Sequence, residues 1–368
     1  MYNIRRLVSS RYTCDIAFNG SFEHKGEYME RITIGVVNHN GLHRIRHTLK
    51  AIQNLDYPSY EVYVIDNHST DGSCEWIRQA YPEVRCITLN QNHGPNVARQ
   101  LILEQADSAY VLIMDDDIVM ARDALTRLVT VMRKVNRAGV CHLEIKDCAC
   151  PEAAYHYNGG SIHYLCALVP RDKPTDHRPE YEIFDTVSGQ AMLIDRDAAL
   201  SIGGFDNDYF FGWTDGDFTA RMSLAGFLCL NVPQAVGWHT AHPRGVSKAF
   251  YQVRNRWYFM IKLYSWRTLM LSAPMLLLYE FALMLLLVFK GAGKEYWRGM
   301  KAVVHDLPML LRKRRLCQQL KVRRDRDWLF AGELYIPHGL IANPAACSLI
   351  RLFSHFVGLY WRLIRPLC

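Results

Sequence analysis

The stretch Tyr110-Val111-Leu112-Ile113-Met114-Asp115-Asp116-Asp117 decides the fold of this chain. Five apolar residues bounded by polar ones read as a buried strand. Three carboxylates at its carboxyl end cannot all be desolvated and ionised unless a cation sits among them. Strand carboxyl ends are also where open α/β sheets bind ligands. Hard oxygen donors favour Mg2+ or Mn2+, metals that usually arrive with a substrate diphosphate.

The same alternation of strand and helix extends to both sides. Residues 32–37, 61–65 and 84–89 read as strands, and 42–54, 74–81 and 97–105 as helices. Residues 123–136 form the next expected helix. Residues 141–181, with Gly159-Gly160 and several prolines, suit a long loop or mixed strands. Residues 186–193 then read as strand, with helices over 196–201 and 215–225. Such spacing argues for an α/β fold, a mostly parallel sheet sandwiched by helices. We expect an extension over 1–30, an α/β domain over 31–245 and a helical region over 246–368.

Half of the 368 residues are apolar, so a sizeable core is available. The net charge of +7 is uneven: twelve basic residues lie between 290 and 326, opposed only by Glu295, Asp306 and Asp325. This predicts a basic face suited to an anionic membrane surface. Nucleic acid is excluded as a partner, because repeats, zinc-finger spacing and RNA-binding aromatic signatures are all missing. Residues 269–289 are almost wholly apolar and long enough to span about 30 Å of hydrocarbon. Pro274 and Glu280 interrupt them, which favours an interfacial or re-entrant helix over a full span. Residues 349–367 mix Phe353, Phe356, Tyr360 and Trp361 with Arg351, Arg362 and Arg365, an interfacial composition. The positive excess would keep this region on the cytoplasmic face of the cell membrane. Residues 1–19 lack the apolar core of a signal peptide, and the eleven scattered cysteines suit reduced thiols. Cys148-Ala149-Cys150 is too short a spacing for a redox or zinc motif.

Four constellations occur in one order: Val37-Asn38-His39-Asn40, Asp66-Asn67-His68-Ser69-Thr70-Asp71-Gly72, Asn92-His93-Gly94-Pro95-Asn96-Val97-Ala98-Arg99, and Asp115-Asp116-Asp117. In that order the chain resembles the family 2 glycosyltransferases of GT-A fold, which bind a nucleotide-sugar through a metal at a D-x-D motif. The resemblance covers residues 32–239. It extends more loosely into the C-terminal region, which looks like that of bacterial rhamnosyltransferases. It implies a donor site of Asn38, His39, Asp66, Arg99, Asp115 and Asp116. There Asp66 accepts a hydrogen from the base, on which His39 stacks. Arg99 suits a diphosphate, its fork binding two oxygens at once. Asp115 faces the ribose, Asp117 the metal, and Asp116 stands in reserve. Gln100 replaces the asparagine common in relatives and is left out of the site.

Downstream, Ser188-Gly189-Gln190-Ala191-Met192 resembles the acceptor-side strand of that family, which gives Gly189 to the acceptor. Phe210-Phe211-Gly212-Trp213-Thr214-Asp215-Gly216-Asp217 resembles its F-D-x-x-F…E-D-x-D stretch, with Thr214 where many relatives have Glu. The resemblance makes Asp215 the catalytic base and places Trp213 at the acceptor. Asp217 and Arg221 can orient Asp215 and hold the helix. His239 stands where a further metal ligand is often found, with His242 a weaker competitor. Gln252-Val253-Arg254-Asn255-Arg256-Trp257 holds one residue more than the Q-x-x-R-W of processive synthases. On a helix that insertion turns Gln252 by roughly 100° from the Arg-Trp pair, which favours a single addition.

The resemblance therefore implies an inverting, metal-dependent transfer of one sugar, with rhamnose a candidate. The donor would be a nucleotide-diphosphate sugar and the acceptor a hydroxyl of a glycan or lipid-linked glycan. A homodimer is compatible with it. A nucleotidyltransferase would want a better phosphate loop than Asn40-Gly41-Leu42-His43-Arg44. A catalytically silent scaffold need not keep Asp115, Asp117 and Asp215 together.

Overall fold

Alternating apolar side chains of buried strands divide the core into two layers, one on each face of a central sheet. The computed structural model describes residues 30–147, 158–170, 179–239, 248–334 and 344–368. Residues 31–368 form one compact unit.

The first half runs β1 (Ile32–Asn38), α1 (Leu42–Gln53), β2 (Tyr60–Asp66), α2 (Ser73–Ala80), β3 (Arg85–Thr88), α3 (Pro95–Gln105), β4 (Tyr110–Asp115), β5 (Val119–Met120) and α4 (Ala124–Lys134). It continues through β6 (Ala138–Asp147), β7 (Gly159–His163), β8 (Leu168–Pro170), β9 (Glu182–Phe184), β10 (Thr186–Val187), β11 (Ala191–Asp195), α5 (Arg196–Ser201), α6 (Thr214–Leu224) and β12 (Leu228–His239). The C-terminal part holds α7 (Ala249–Leu263), α8 (Trp266–Phe289), α9 (Gly293–His305), α10 (Leu307–Leu320), α11 (Asp325–Trp328), β13 (Leu329–Phe330) and α12 (Pro344–Ile364).

The main sheet has nine strands among the described residues, in the order β3-β2-β1-β4-β11-β6-β12-β5, with β9 on β12. Strands β3, β2, β1, β4, β6 and β12 share one direction, and β11 is inserted antiparallel between β4 and β6. Ile32, Ile34, Val36, Leu112 and Met114 face α1 and α4. Val37, Val111 and Ile113 face α3 and α6 on the other side. The register sets Asn38 beside Asp66, and Val37 beside Asp115, so three strands end together.

One expected element differs, and another is specified more closely. The strand expected over 186–193 is broken: Thr186 and Val187 join a second, smaller sheet with β7, while Ala191–Asp195 joins the main one. Residues 188–190 turn between the two sheets. Within 141–181, where a loop or mixed strands were expected, β6 is a ten-residue strand whose His142 and Glu144 are buried beside Asn231 of β12. Buried polar side chains on a strand covered on both faces erase the period-two signal. Cys148, Cys150 and His242 lie outside the described residues.

Most basic residues of the face expected over 290–326 are exposed, but Lys313, Arg314, Lys321 and Arg323 turn inward. Arg314 donates to the Ile261 and Tyr264 carbonyls, and Gln318 and Lys321 donate to the Leu263 carbonyl, capping the carboxyl end of α7. Carbonyls at a helix end need donors, and cations suit the dipole there. Arg323 binds Asp185 at 2.7 Å, and Lys313 binds Asp206 at 2.5 Å and Asp208 at 2.6 Å.

Asp217 and Arg221, expected to orient Asp215 and hold the helix, do anchor helices. Asp217 is fully buried, 2.8 Å from Arg221 Nε and 2.6 Å from Lys262 Nζ of α7. Lys262 also lies 2.5 Å from Asp206, and the Arg221 fork donates to the Ile202 and Gly204 carbonyls. Burial pushes the Asp206 carboxyl up, but Lys262 and Lys313 outweigh it and hold it far below the usual range. Removing one member of such a pair leaves an uncompensated buried charge. Lys262→Met is therefore expected to lower unfolding stability by about 3–5 kcal/mol, read from urea denaturation of the full chain. A loss within the error of the measurement would remove this network as the tie between α6 and α7.

Candidate active site

The loop after β1 is built on Asp66. Its carboxylate accepts from Asn38 Nδ2 at 2.6 Å, Ser69 Oγ at 2.6 Å and the Ser69 amide at 2.9 Å. Burial pushes this carboxyl up, but the bonds from Ser69 and Asn38 outweigh it and keep it below the usual range. Asp66 is thus a buried acceptor at the strand end, already engaged by its own loop. Asn38 Oδ1 is buried without a hydrogen-bond partner among the described residues. His39 is exposed, with Nδ1 2.9 Å from the Asn67 carbonyl, which fixes its ring at the rim. Asn67, which sequence reasoning did not single out, ties the second loop to the third. Its Nδ2 donates to the Gly94 carbonyl, and its Oδ1 accepts from the His93 amide, both at 2.9 Å.

Each aspartate of the triplet has a cation or imidazole of its own. Asp115 pairs with Arg99 of α3 at 2.9 Å and Asp116 with Arg44 of α1 at 2.9 Å. Asp117 lies 3.3 Å from His239 Nε2 at the end of β12. The three carboxylates thus point to three different side chains rather than to one another. Asp116, held in reserve by the sequence reading, is buried and gripped through Arg44 Nε and Nη2. Arg44 was overlooked; the available signal was its position as the only cation in the loop and first turn after β1.

Desolvation sets the order of proton affinity. It pushes Asp115 up to about 6 despite the pull of Arg99, with Asp117 and Asp116 adding to the push. Burial also raises Asp116 against Arg44. For Asp117 burial pushes upward, but the His239 hydrogen bond and charge prevail and its carboxyl lies below the usual range. Asp117 Oδ1 is buried without a hydrogen-bond partner among the described residues, an open acceptor beside an imidazole. No group of three or more His, Cys, Asp or Glu ligands exists among the described residues. An ion at Asp117 and His239 would need further oxygens from a substrate and water, as Mg2+ commonly does.

Arg99 is the hub between this cluster and Asp215. Only 4% of its side chain is exposed, and Nη2 donates both to Asp115 at 2.9 Å and to the Gly189 carbonyl at 3.1 Å. The Gly189 amide in turn donates to Asp215 Oδ2 at 2.8 Å. Arg99 Nε and Nη1 are buried without hydrogen-bond partners among the described residues. A Cβ on Gly189 would lie 2.6 Å from Asp215 Cβ, so only glycine allows this approach. Gly189 sits in the break between β10 and β11.

Asp215 stands in the first turn of α6, where the helix dipole favours a carboxylate. Its Oδ1 accepts from Thr214 Oγ1 at 3.2 Å. Trp213 takes φ 60° at the helix entry, and its ring packs 4.8 Å from Phe259 of α7. Asn255 of α7 donates to the Phe211 and Gly212 carbonyls at 2.7 and 2.8 Å, clamping the loop that leads into Asp215. Nothing local in the sequence marked Asn255 for this role. The near-motif around it has other duties: Gln252 is exposed, while Arg256 is buried, donates to the Leu165 carbonyl and pairs with Glu280.

Comparison with known proteins agrees with this architecture. Residues 33–198 match the family described as glycosyl transferase family 2. An N-acetylglucosaminyl-diphospho-decaprenol L-rhamnosyltransferase of Mycobacterium tuberculosis is 28% identical over 211 residues, covering 50% of this chain and 68% of that protein. Rhamnosyltransferase WbbL of Escherichia coli is 24% identical over 241 residues, covering 62% of this chain and 89% of that protein. A crystal structure of GalNAc-T7 with UDP, GalNAc and Mn2+ superposes with a TM-score of 0.54 at 16% identity, over 66% of this chain and 49% of that one. That likeness concerns the fold. A sheet with its strand ends gathered at Asn38, Asp66 and Asp115 makes residues 33–198 a family 2 glycosyltransferase domain with a GT-A-like fold, in a chain similar to bacterial rhamnosyltransferases.

Proposed function

We propose that this enzyme is an inverting, metal-dependent glycosyltransferase that moves one sugar, with rhamnose the favoured candidate, from a nucleotide-diphosphate donor. The acceptor is a hydroxyl of a glycan carried on a lipid, presented at the cytoplasmic face of a membrane. The observation that carries this reading is the hydrogen-bond chain Asp115–Arg99–Gly189–Asp215, which fixes a base against the donor-side carboxylates.

Asp215 accepts the proton of the acceptor hydroxyl as its oxygen bonds to the anomeric carbon. The bond from that carbon to the diphosphate breaks on the opposite side, so configuration inverts. One carboxylate within hydrogen-bond reach is enough for this step. Asp117 and His239 would hold Mg2+ or Mn2+, and that ion supplies positive charge for the departing diphosphate. The orphaned Asp117 Oδ1 fits this assignment. Asp66 and Asn38 hold the base-side loop, and the buried Arg99 keeps Asp115 and Gly189 in register beneath the donor.

Three outcomes follow from these roles. Asp215→Asn is expected to keep donor affinity, measured by calorimetry, while slowing transfer ~10²–10⁴-fold. Collapse of donor affinity with near-normal turnover would move Asp215 to the donor site. Asp117→Ala should abolish turnover and weaken the metal dependence of nucleotide-diphosphate binding; undiminished activity of this variant with metal chelated would refute the ion site. Gly189→Ala should lower kcat with little change in donor affinity, because its Cβ meets Asp215. Unchanged kcat across a panel of nucleotide-sugars would show that this close approach does not set the base.

A further inference from the structure

We infer that α8 and α12 form a docking face that lies in the plane of an anionic lipid leaflet, with α8 resting on the membrane rather than crossing it. The inference deepens the proposed transfer to a lipid-linked acceptor, and rests on that reading only for its purpose.

α8 is long and apolar enough to cross a bilayer, yet only 28% of its most apolar window is buried inside the protein. A core helix of that composition would be mostly covered. Its exposed large side chains include Met270, Leu277, Phe281, Leu285 and Val288, which recur at helical spacing along one face. Burial of such a face in water needs a partner.

The opposite face decides the geometry. Glu280 points into the protein, where it pairs with Arg256 of α7 and accepts from Tyr296 of α9 at 3.0 Å. A spanning α8 would take this carboxylate and its two partners into hydrocarbon, at great cost. An in-plane α8 keeps them within the protein while the apolar stripe meets acyl chains. Both ends of the stripe carry exposed cations, Arg267 before it and Lys290 and Lys294 after it.

α12 adds a second strip of the same kind. It is tied to α8 by the Tyr360 hydroxyl, which donates to the Leu271 carbonyl at 2.7 Å. Leu352, Phe356, Leu359 and Leu363 are exposed at i, i+4, i+7 and i+11, flanked by exposed Arg351 and Arg362. Apolar stripes bordered by cations match the boundary between acyl chains and anionic phosphates. A second copy of this chain would bring like charges together along the same borders, so a lipid leaflet is the better complement.

Flotation of the full chain with sealed vesicles of phosphatidylglycerol and phosphatidylethanolamine, without donor or acceptor, tests the surface. We expect binding to these vesicles and little to phosphatidylcholine alone. Leu277→Glu with Phe281→Glu should abolish it, and Leu352→Glu with Leu359→Glu should weaken it, with near-ultraviolet circular dichroism unchanged. Lys290→Gln should lower partitioning about fivefold. Binding that survives both apolar pairs, or a dimer in buffer that the first pair dissolves, would overturn the proposal. The in-plane geometry is tested with Arg267→Cys and Lys290→Cys in cells producing the chain. A membrane-impermeant maleimide should label both, above the parent background, in inverted membrane vesicles and neither in spheroplasts. Labelling of the two sites from opposite sides would show a span. Because binding is measured without substrates, a chain that floats but transfers no sugar would count against the proposed function and leave this surface standing.

Discussion

Three consecutive negative charges are the constraint around which this site is arranged. Two like charges about 4 Å apart repel by about 4 kcal/mol at the effective dielectric of a partly buried site. The pleat of β4 resolves this. Residues 111, 113 and 115 face the layer containing α3, and residues 112, 114 and 116 face the layer containing α1. Asp115 therefore meets Arg99 and Asp116 meets Arg44, on opposite sides of one sheet. Asp117 lies past the strand end, where β12 delivers His239. Each charge is matched before a ligand arrives, so donor binding does not have to gather an acidic cluster that would otherwise fly apart.

The second half of the site depends on α7, which lies beyond the matched family segment of 33–198. Asn255 holds the carbonyls just ahead of Asp215, and Lys262 holds Asp217 two residues after it. Arg256, between them in sequence, reaches α8 through Glu280. One helix thus carries the contacts to the Asp215 loop and the contact to the apolar helix. The carboxyl end of α7 is fixed by Arg314, Gln318 and Lys321 from the following segment. Residues that look in sequence like a solvated basic run are the donors that this helix end requires.

The sheet and the triplet were legible because they rest on local pattern: apolar runs, a period of two, and carboxylates at a strand end. Legibility failed where partners come from far along the chain. Arg44 lies 72 positions from Asp116, and Lys262 lies 56 from Asp206. No window of sequence contains either pair. β6 could be read only as part of a loop or of mixed strands, because its buried His142 and Glu144 are satisfied by a distant strand and look, in sequence, like loop residues. The break at 188–190 was hidden for a different reason. Six apolar or β-prone residues flank it, and the need for a turn arises only because β10 and β11 belong to different sheets.

Thr214 shows how a departure from the family pattern can be accommodated. A glutamate at this position would set a second negative charge beside Asp215 at the start of α6. The threonine hydroxyl instead donates to Asp215 Oδ1, while the Gly189 amide donates to Oδ2. Both oxygens of Asp215 then accept one neutral hydrogen bond each, and every carboxylate oxygen keeps a further lone pair. The carboxylate is held in one orientation with acceptor capacity left, so a second carboxylate at position 214 is not needed to hold it.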